Sequence, residues 1–202
     1  MYLGSKVEDT GGATAEVSRR AGKMAGAYEK FRKIFYKPNI RMRTKMKIFD
    51  AVVTSAAVYA AETWPAKKGD LEKLDNAHRR RIRRILKINW WDRVNNEKVH
   101  WRAQIPPLFE TIRKRRLQWW GHVQRQPVDS LLGRYNRLEV AGKRRQGGQF
   151  MTWSKRVRQD FSHLGITEEM AKNYAKTRTA WRSICGEGTR LKRPAGVAAG
   201  GP

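Results

Sequence analysis

Apolar residues recur three and four positions apart over most of this chain, with basic residues on many of the intervening positions. The first such line follows Gly11-Gly12 and predicts a helix with Thr14 as its N-cap that ends before Pro38. Other helices are predicted over about 44–60, over 71–86, after Asn95 or Asn96, and after Pro106-Pro107. These patterns predict an all-α fold built as a helical bundle.

The composition changes after the last of these helices. Residues 127–149 are rich in Arg and Gly and predict a linker. Beyond it, Val157 and Phe161 indicate a short helix, and Thr167 is expected to cap a longer one that reaches Cys185. The expected organisation is a short strand and turn at 1–12, a helical domain at 13–126, the basic linker at 127–149, a smaller helical region at 150–185 and a disordered tail at 186–202.

The charge of the chain restricts the partners that fit it. Its 44 Lys and Arg against 18 Asp and Glu give a formal net charge of +26, so the folded chain repels itself unless an anion neutralises it. Hydrophobic residues still make up 40% and include eight Trp, which exceeds the apolar content of a disordered basic tail. The sequence therefore predicts a folded protein that binds an anionic partner.

Cysteine usage and hydropathy exclude further classes of protein. Cys185 is the only cysteine, which excludes an internal disulfide and any zinc site that needs two cysteines, and which fits an intracellular protein. The most apolar run, at 51–61, is too short to span a bilayer. A module for anionic membrane surfaces also fits poorly, because the aromatic residues are spread along the chain. Nucleic acid is therefore the expected partner, with no membrane.

Three runs of basic residues are the candidate phosphate contacts, at 79–84, 113–116 and 143–145. One such run is more often a solvated helix face. Three of them in a chain of this charge favour phosphate binding without sequence readout. The predicted contacts within the runs are Arg79, Arg80, Arg81, Arg83, Arg84, Arg113, Lys114, Arg115, Arg116, Lys143, Arg144 and Arg145.

Aromatic residues directly follow the second run. Trp119, His122 and Arg125 continue the helical face of Arg115 and are predicted to add stacking and phosphate contacts. Trp120 is predicted to lie in the core. For Trp119 the core and the surface are about equally favoured, because the glycine that follows Trp120 permits close helix packing.

The sequence predicts no catalytic centre. Phosphoryl transfer needs carboxylates gathered around divalent metals. Here Asp and Glu are scattered, and the only adjacent pairs are Glu8-Asp9 and Glu168-Glu169, the latter explained as first-turn charge on a helix. We expect no catalytic residue, metal, cofactor or small-molecule substrate in this chain.

Short motifs follow one another along the sequence. They are Tyr2-Leu3-Gly4-Ser5, Tyr59-Ala60-Ala61-Glu62-Thr63-Trp64, the helix 71–86, the segment 91–97, the segment 115–125, Gly142-Lys143-Arg144 with Trp153 and Asp160, and Arg178 with Trp181-Arg182. In this order they resemble the region downstream of the polymerase palm in non-LTR (LINE-type) retrotransposon reverse transcriptases. The sharpest match is 115–125, which is similar to the family's "RRLrwxGHvxR". Where the family has glycine, proline and an acid, this chain has Ala60, Gln149 and Thr177, and Ala60 is expected to strain a turn.

The resemblance implies a thumb-like bundle and a C-terminal region that grip template RNA and an RNA/DNA or DNA duplex, in the nucleus and in cytoplasmic ribonucleoprotein. The family's catalytic aspartates and their Mg²⁺ belong to a palm that would precede Met1. We therefore expect a fragment without polymerase activity of its own. The alternative is an independent basic RNA- or DNA-binding protein with no polymerase role.

Overall fold

The structure is a computed structural model that describes residues 12–138, 151–187 and 194. Within these ranges the regular structure is helical and no strand occurs, which confirms the predicted all-α fold. The helices are α1 (Thr14–Tyr36), α2 (Met42–Phe49), α3 (Ser55–Ala57), α4 (Lys68–Ile85), α5 (Asn96–Ala103), α6 (Leu108–Gln124), α7 (Leu131–Arg137), α8 (Trp153–Leu164), α9 (Glu168–Ala175) and α10 (Arg178–Glu187). Among these described helices, none combines the length and the hydrophobicity needed to cross a bilayer.

Several helix ends follow from the predicted local signals. Helix α1 stops at Tyr36 because Pro38 forces the residue before it, Lys37, into extended backbone at φ −66° and ψ 124°. The Asn95 side chain accepts a hydrogen bond at the start of α5, and Thr167 does the same for α9. These two predicted caps are confirmed.

The start of α1 differs from its prediction. Ala13 occupies the N-cap position, and Thr14 is the first helical residue. The Thr14 hydroxyl instead donates to the Asp70 carboxylate at 2.8 Å, in the first turn of α4. Thr14 therefore ties two helices together and does not cap its own.

The helix predicted over about 44–60 runs from residue 42 to residue 57 and contains one π-helical turn. Residues Asp50–Thr54 form one π-helical turn between α2 and α3, in which the Ser55 backbone N–H donates to the Asp50 carbonyl. The Ser55 hydroxyl reaches the same carbonyl at 3.4 Å. Val53, in the π-helical turn, and Ala57, after it, both lie in the core.

The long helix predicted from Thr167 to Cys185 is divided into α9 and α10. The Ala175 carbonyl, which would accept an intrahelical hydrogen bond, accepts one from Arg125 of α6 at 2.9 Å instead. The chain then turns tightly, with the Thr177 N–H donating to the Tyr174 carbonyl. The end of α9 is therefore satisfied by a tertiary contact that the local sequence does not show.

The predicted linker at 127–149 also differs from the structure, because α7 lies within it. Ser130 caps this helix by accepting from the Gly133 N–H at 3.0 Å. Residues 139–150 lie outside the described residues, as do the expected strand over 1–11 and, apart from residues 186, 187 and 194, the expected tail.

Two hydrophobic clusters form the core, and α6 contributes to both. The larger packs α1 to α5 around Tyr28, Phe35 and Phe49, and it includes Leu108 from the first turn of α6. The smaller packs the second half of α6, starting at Leu117, against α8, α9 and α10. The last residues of the predicted 13–126 domain therefore pack with the C-terminal region.

Candidate nucleic-acid interface

The first basic run occupies the last turns of α4, and three of its arginines bind groups of the protein. Arg79 pairs with the buried Asp75 at 2.5 Å. Arg81 donates at 2.8 Å to a carbonyl of its own helix, and Arg83 donates at 2.6 Å to the Val94 carbonyl. Arg79 and Arg81 therefore bind groups of α4 itself, and Arg83 alone of the three ties α4 to the segment that follows it.

The other two arginines of this run stay exposed. Arg80 and Arg84 share one face of α4 with Lys73, because steps of seven and four residues return to the same side of a helix. Among the described residues, neither Arg80 nor Arg84 has a hydrogen bond or an ion pair. We call Lys73, Arg80 and Arg84 the α4 basic face.

Charge on this face is not balanced locally. Burial lowers the pKa of Arg81, and repulsion from Arg84 lowers it further; Tyr28 and Glu29 oppose the shift, and Arg80 adds a smaller lowering. An anion bound beside Arg80 and Arg84 would relieve this repulsion. The α4 basic face is therefore suited to a phosphate backbone.

The second basic run, on α6, is turned largely toward the protein. The Arg116 side chain is 2% exposed and donates to the Asp160 carboxylate of α8 at 2.6 Å. Arg113 lies 3.7 Å from the same carboxylate. Burial lowers the pKa of Arg113, with Asp160 opposing the shift. These two predicted contacts are engaged in joining α6 to α8.

The remaining members of this run are half-buried. Arg115 donates to the Val58 carbonyl at 3.0 Å and so ties α6 to the end of α3. Lys114 lies near the buried Cys185: burial raises the pKa of that thiol to about 12, and Lys114 acts in the opposite direction. The α6 run therefore presents less free charge than the run on α4.

The aromatic residues after this run divide between core and surface. Trp120 lies in the core against Phe161 and Trp181, as predicted. Trp119 is half-buried and stacks on the exposed His122, with ring centroids 5.3 Å apart. Both rings line a shallow hollow of about 410 Å³ together with Glu62, Arg115 and Gln118.

A second hollow brings two distant motifs together. It has a volume of about 390 Å³ and is lined by Gln118, His122 and Arg125 of α6 and by Arg178, Trp181 and Arg182 of α10. The approach is close because Gly121 has no side chain, and a Cβ there would overlap the Trp181 indole. The indole N–H donates to the Leu117 carbonyl at 2.8 Å. We call His122, Arg125, Arg178 and Arg182 the α6–α10 basic pocket.

Acidic residues do little to neutralise these surfaces. Glu16, Asp75 and Asp160 are buried, and each is paired with at least one arginine. In the described part of the chain, exposed Lys and Arg far outnumber exposed Asp and Glu.

The third predicted run, Lys143 to Arg145, lies outside the described residues.

The sequence prediction omits four residues that this surface exposes. Arg178 and Arg182 appear in it only as parts of a motif, because their proximity to α6 depends on the Gly121–Trp181 contact. Trp90 is omitted and Trp91 appears only within the 91–97 motif, although both are exposed, at 84% and 61%. The adjacent pair of tryptophans in a polar segment was the signal that could have found them.

Histidines do not form a metal site in the described residues, where no group of three His, Cys, Asp or Glu side chains is placed to hold an ion. His78 is fully buried, and its Nε2 lies 2.9 Å from the Thr54 hydroxyl. Burial lowers the pKa of His78 to about 3. His78 is thus a packed, neutral core residue, as its place on an apolar helical line predicts.

The fold and surface charge define the protein as a basic, all-α chain. No protein-family model matches its sequence, and no solved structure does. It is similar to a transposon-derived protein of Caenorhabditis elegans described as uncharacterized, with 22% identity over 196 residues that span 91% of this chain and 68% of the relative. This likeness points to a transposon origin for the chain.

Proposed function

We propose that this chain grips template RNA and its duplex with a primer through their phosphates, as the thumb and C-terminal region of a non-LTR retrotransposon reverse transcriptase. The observation that carries the proposal is the α4 basic face. Arg80 and Arg84 stay exposed on a helix whose neighbouring arginines are all bound to protein groups. Exposed guanidinium groups that project from one face of a helix favour phosphate contacts that set register without reading sequence.

The α6–α10 basic pocket is the second proposed contact. Three arginines and an exposed histidine line it, together with Gln118 and Trp181 and without a carboxylate. Arg125 is oriented by its hydrogen bond to the Ala175 carbonyl, and four of its donors remain for a phosphate. Trp119 and His122 beside the pocket add rings on which a base or a sugar can pack.

The likeness to a transposon-derived protein and the order of the motifs support the family assignment within this proposal. The proposal assigns the chain binding alone. Polymerase chemistry, with its metal ions, would belong to a palm, and no cofactor is assigned to this chain. Phosphate contacts from the chain would hold the duplex in register for that chemistry.

Salt dependence with a charge-matched pair of variants tests the proposal. If roughly six phosphates are contacted, wild-type affinity for an RNA/DNA duplex falls about a thousandfold between 50 and 200 mM salt. Arg80→Gln with Arg84→Gln removes two of these contacts, so the fall is expected to shrink to roughly a hundredfold. Fluorescence anisotropy over a salt series measures both values.

The control removes the same net charge elsewhere. Arg158 and Lys172 are exposed and both pair with Glu168, at 3.5 and 3.2 Å. Arg158→Gln with Lys172→Gln is expected to leave the salt dependence close to that of the wild type. Equal effects of the two double variants would show that net charge, and not the α4 basic face, determines binding, and a flat wild-type response would refute phosphate binding itself.

A further inference from the structure

Trp90 and Trp91 form an aromatic pair on the surface that the phosphate contacts do not explain. Their exposed fractions are 84% and 61%, and their ring centroids lie 5.7 Å apart in an edge-to-face arrangement. Tryptophan is highly buried on average, and an exposed apolar patch of this kind marks an interaction site. At this exposure, Trp90 leaves its ring faces open to a partner.

The turn that carries this pair is held on both sides. The Asn89 side chain accepts from the Asp92 N–H, and the Asp92 carboxylate accepts from the Asn89 N–H at 2.7 Å. Ile88, just before the turn, is buried in the larger cluster. After the turn, Arg83 of α4 holds the Val94 carbonyl. The two indoles are therefore displayed by a fixed turn, and they do not belong to a loosely packed part of the core.

Arg83 also sets the position of the turn relative to the α4 basic face. Its guanidinium binds residues just beyond the turn, while Arg80 and Arg84, three residues before it and one after it on α4, point to solvent. Lys87 and Arg93 flank the tryptophans and are exposed. The nearby exposed acids in sequence are Asp92, whose carboxylate accepts the Asn89 N–H, and Glu97. Cations thus predominate among the exposed charged residues that are close to the two tryptophans in sequence.

We propose that Trp90 and Trp91 stack on unpaired bases of a nucleic-acid strand whose phosphates lie along Arg84, Lys87 and Arg93. This inference rests on the proposed function, because it extends the phosphate contacts of the α4 basic face. Bases within a duplex are already stacked on each other, so the indoles engage nucleotides in a single strand, an overhang or a frayed end. Aromatic platforms beside basic residues bind single strands in this way, without sequence preference.

The test compares two nucleic acids that share one duplex. One is a blunt RNA/DNA duplex, and the other carries a single-stranded overhang of about ten nucleotides. The wild type is expected to bind the overhang form more tightly. Trp90→Ala with Trp91→Ala should weaken binding to the overhang form at least about tenfold, since each stacked base contributes on that order or more. Affinity for the blunt duplex should stay within about twofold of wild type.

Two further variants separate stacking from simple apolar contact. Trp90→Phe with Trp91→Phe keeps aromatic faces and should retain most of the preference for the overhang. Trp90→Leu with Trp91→Leu keeps apolar area and should behave like the alanine variant. Circular dichroism melts are expected to match the wild type for all three, because both side chains are exposed.

Several outcomes would overturn the inference. One is an alanine variant that binds the overhang as the wild type does, and another is a leucine variant that does so. A third is that the alanine variant binds nucleic acid as the wild type does but no longer binds vesicles of phosphatidylserine and phosphatidylcholine. A fourth is that it binds nucleic acid normally but no longer forms a dimer that the wild type forms in light scattering. Failure of the proposed function looks different: the Arg80 and Arg84 substitutions would then leave duplex affinity unchanged while the tryptophan variant still lost its preference for the overhang.

Discussion

Helices α4 and α6 each carry a dense cluster of arginines, and the two clusters meet different surroundings. On α6, an acid from another helix reaches the run: Asp160 of α8 pairs with Arg116 and attracts Arg113. On α4, the acid is Asp75, one turn earlier on the same helix, and Arg79 occupies it. The α6 cluster therefore joins two parts of the protein, whereas α4 keeps two arginines on the surface.

The difference shows that an arginine run does not by itself define a binding surface. Its members bind the carboxylates and carbonyls that the fold brings near them, and only the members left over remain available to a partner. On α4 the Asp75 carboxylate also accepts from the Leu108 N–H at 2.8 Å, so it caps α6 as well as pairing with Arg79. One acid therefore serves both helices and leaves Arg80 and Arg84 unbound.

Replacing Asp160, the acid that pairs with the α6 arginines, should lower the free energy of unfolding more than any other change proposed below. Asp160→Asn keeps the shape of the side chain and removes its charge, so the buried Arg116 loses its counter-ion. Removing one partner of a buried ion pair destabilises a protein by about 3–5 kcal/mol. Urea denaturation followed by circular dichroism should show a loss of this size in the free energy of unfolding.

The corresponding change on α4 supplies the contrast. Arg80→Ala removes an exposed side chain and should alter the free energy of unfolding by less than about 0.5 kcal/mol. If Asp160→Asn proved equally harmless, the Arg116–Asp160 pair would contribute no stability, and the distinction between the two helices would fail.

Sequence periodicity predicts most of the fold because it records burial on each helix. The apolar line of α4 places Leu74, His78 and Ile82 in the core, and all three are buried. Local caps such as Asn95 also act within one turn and can be read directly. The contact at the end of α9 cannot be read this way, because the Arg125 side chain that binds the Ala175 carbonyl comes from fifty residues earlier.

The candidate site is less predictable than the fold for the same reason. Charge runs mark helices rich in guanidinium groups, but the sequence does not say which acid will reach them. The partner of Arg116 lies 44 residues away along the chain, beyond the predicted linker. Trp90 and Trp91 do carry a local signal, an adjacent tryptophan pair in a polar segment, and the structure shows that both side chains are exposed.

Substitution of Gly121 tests how closely α6 must pack against α10. Gly121→Ala places a methyl group where the buried Trp181 indole lies, and overpacking of this kind costs about 1–3 kcal/mol. The matched change is Gly22→Ala in the middle of α1, where a Cβ would meet no described atom within 4 Å. It should raise stability by up to about 1 kcal/mol, because alanine favours helix. Thermal melts with the same sign for both variants would contradict the close α6–α10 contact.

The smallest expected effect concerns the turn to which Arg115 of α6 is tied through the Val58 carbonyl. Two residues later, Ala60 lies at φ 57° and ψ 17°, a left-handed conformation that costs a residue with a Cβ about 1 kcal/mol and costs glycine almost nothing. Ala60→Gly relieves that strain but also makes the unfolded chain more flexible, so the net gain should be about 0.5 kcal/mol. Ala25→Gly in the right-handed helix α1 has no strain to relieve and should lose about 1 kcal/mol. A melting temperature that falls for Ala60→Gly as much as for Ala25→Gly would show that Ala60 is unstrained and that alanine stabilises this turn better than the glycine of the resembling motif.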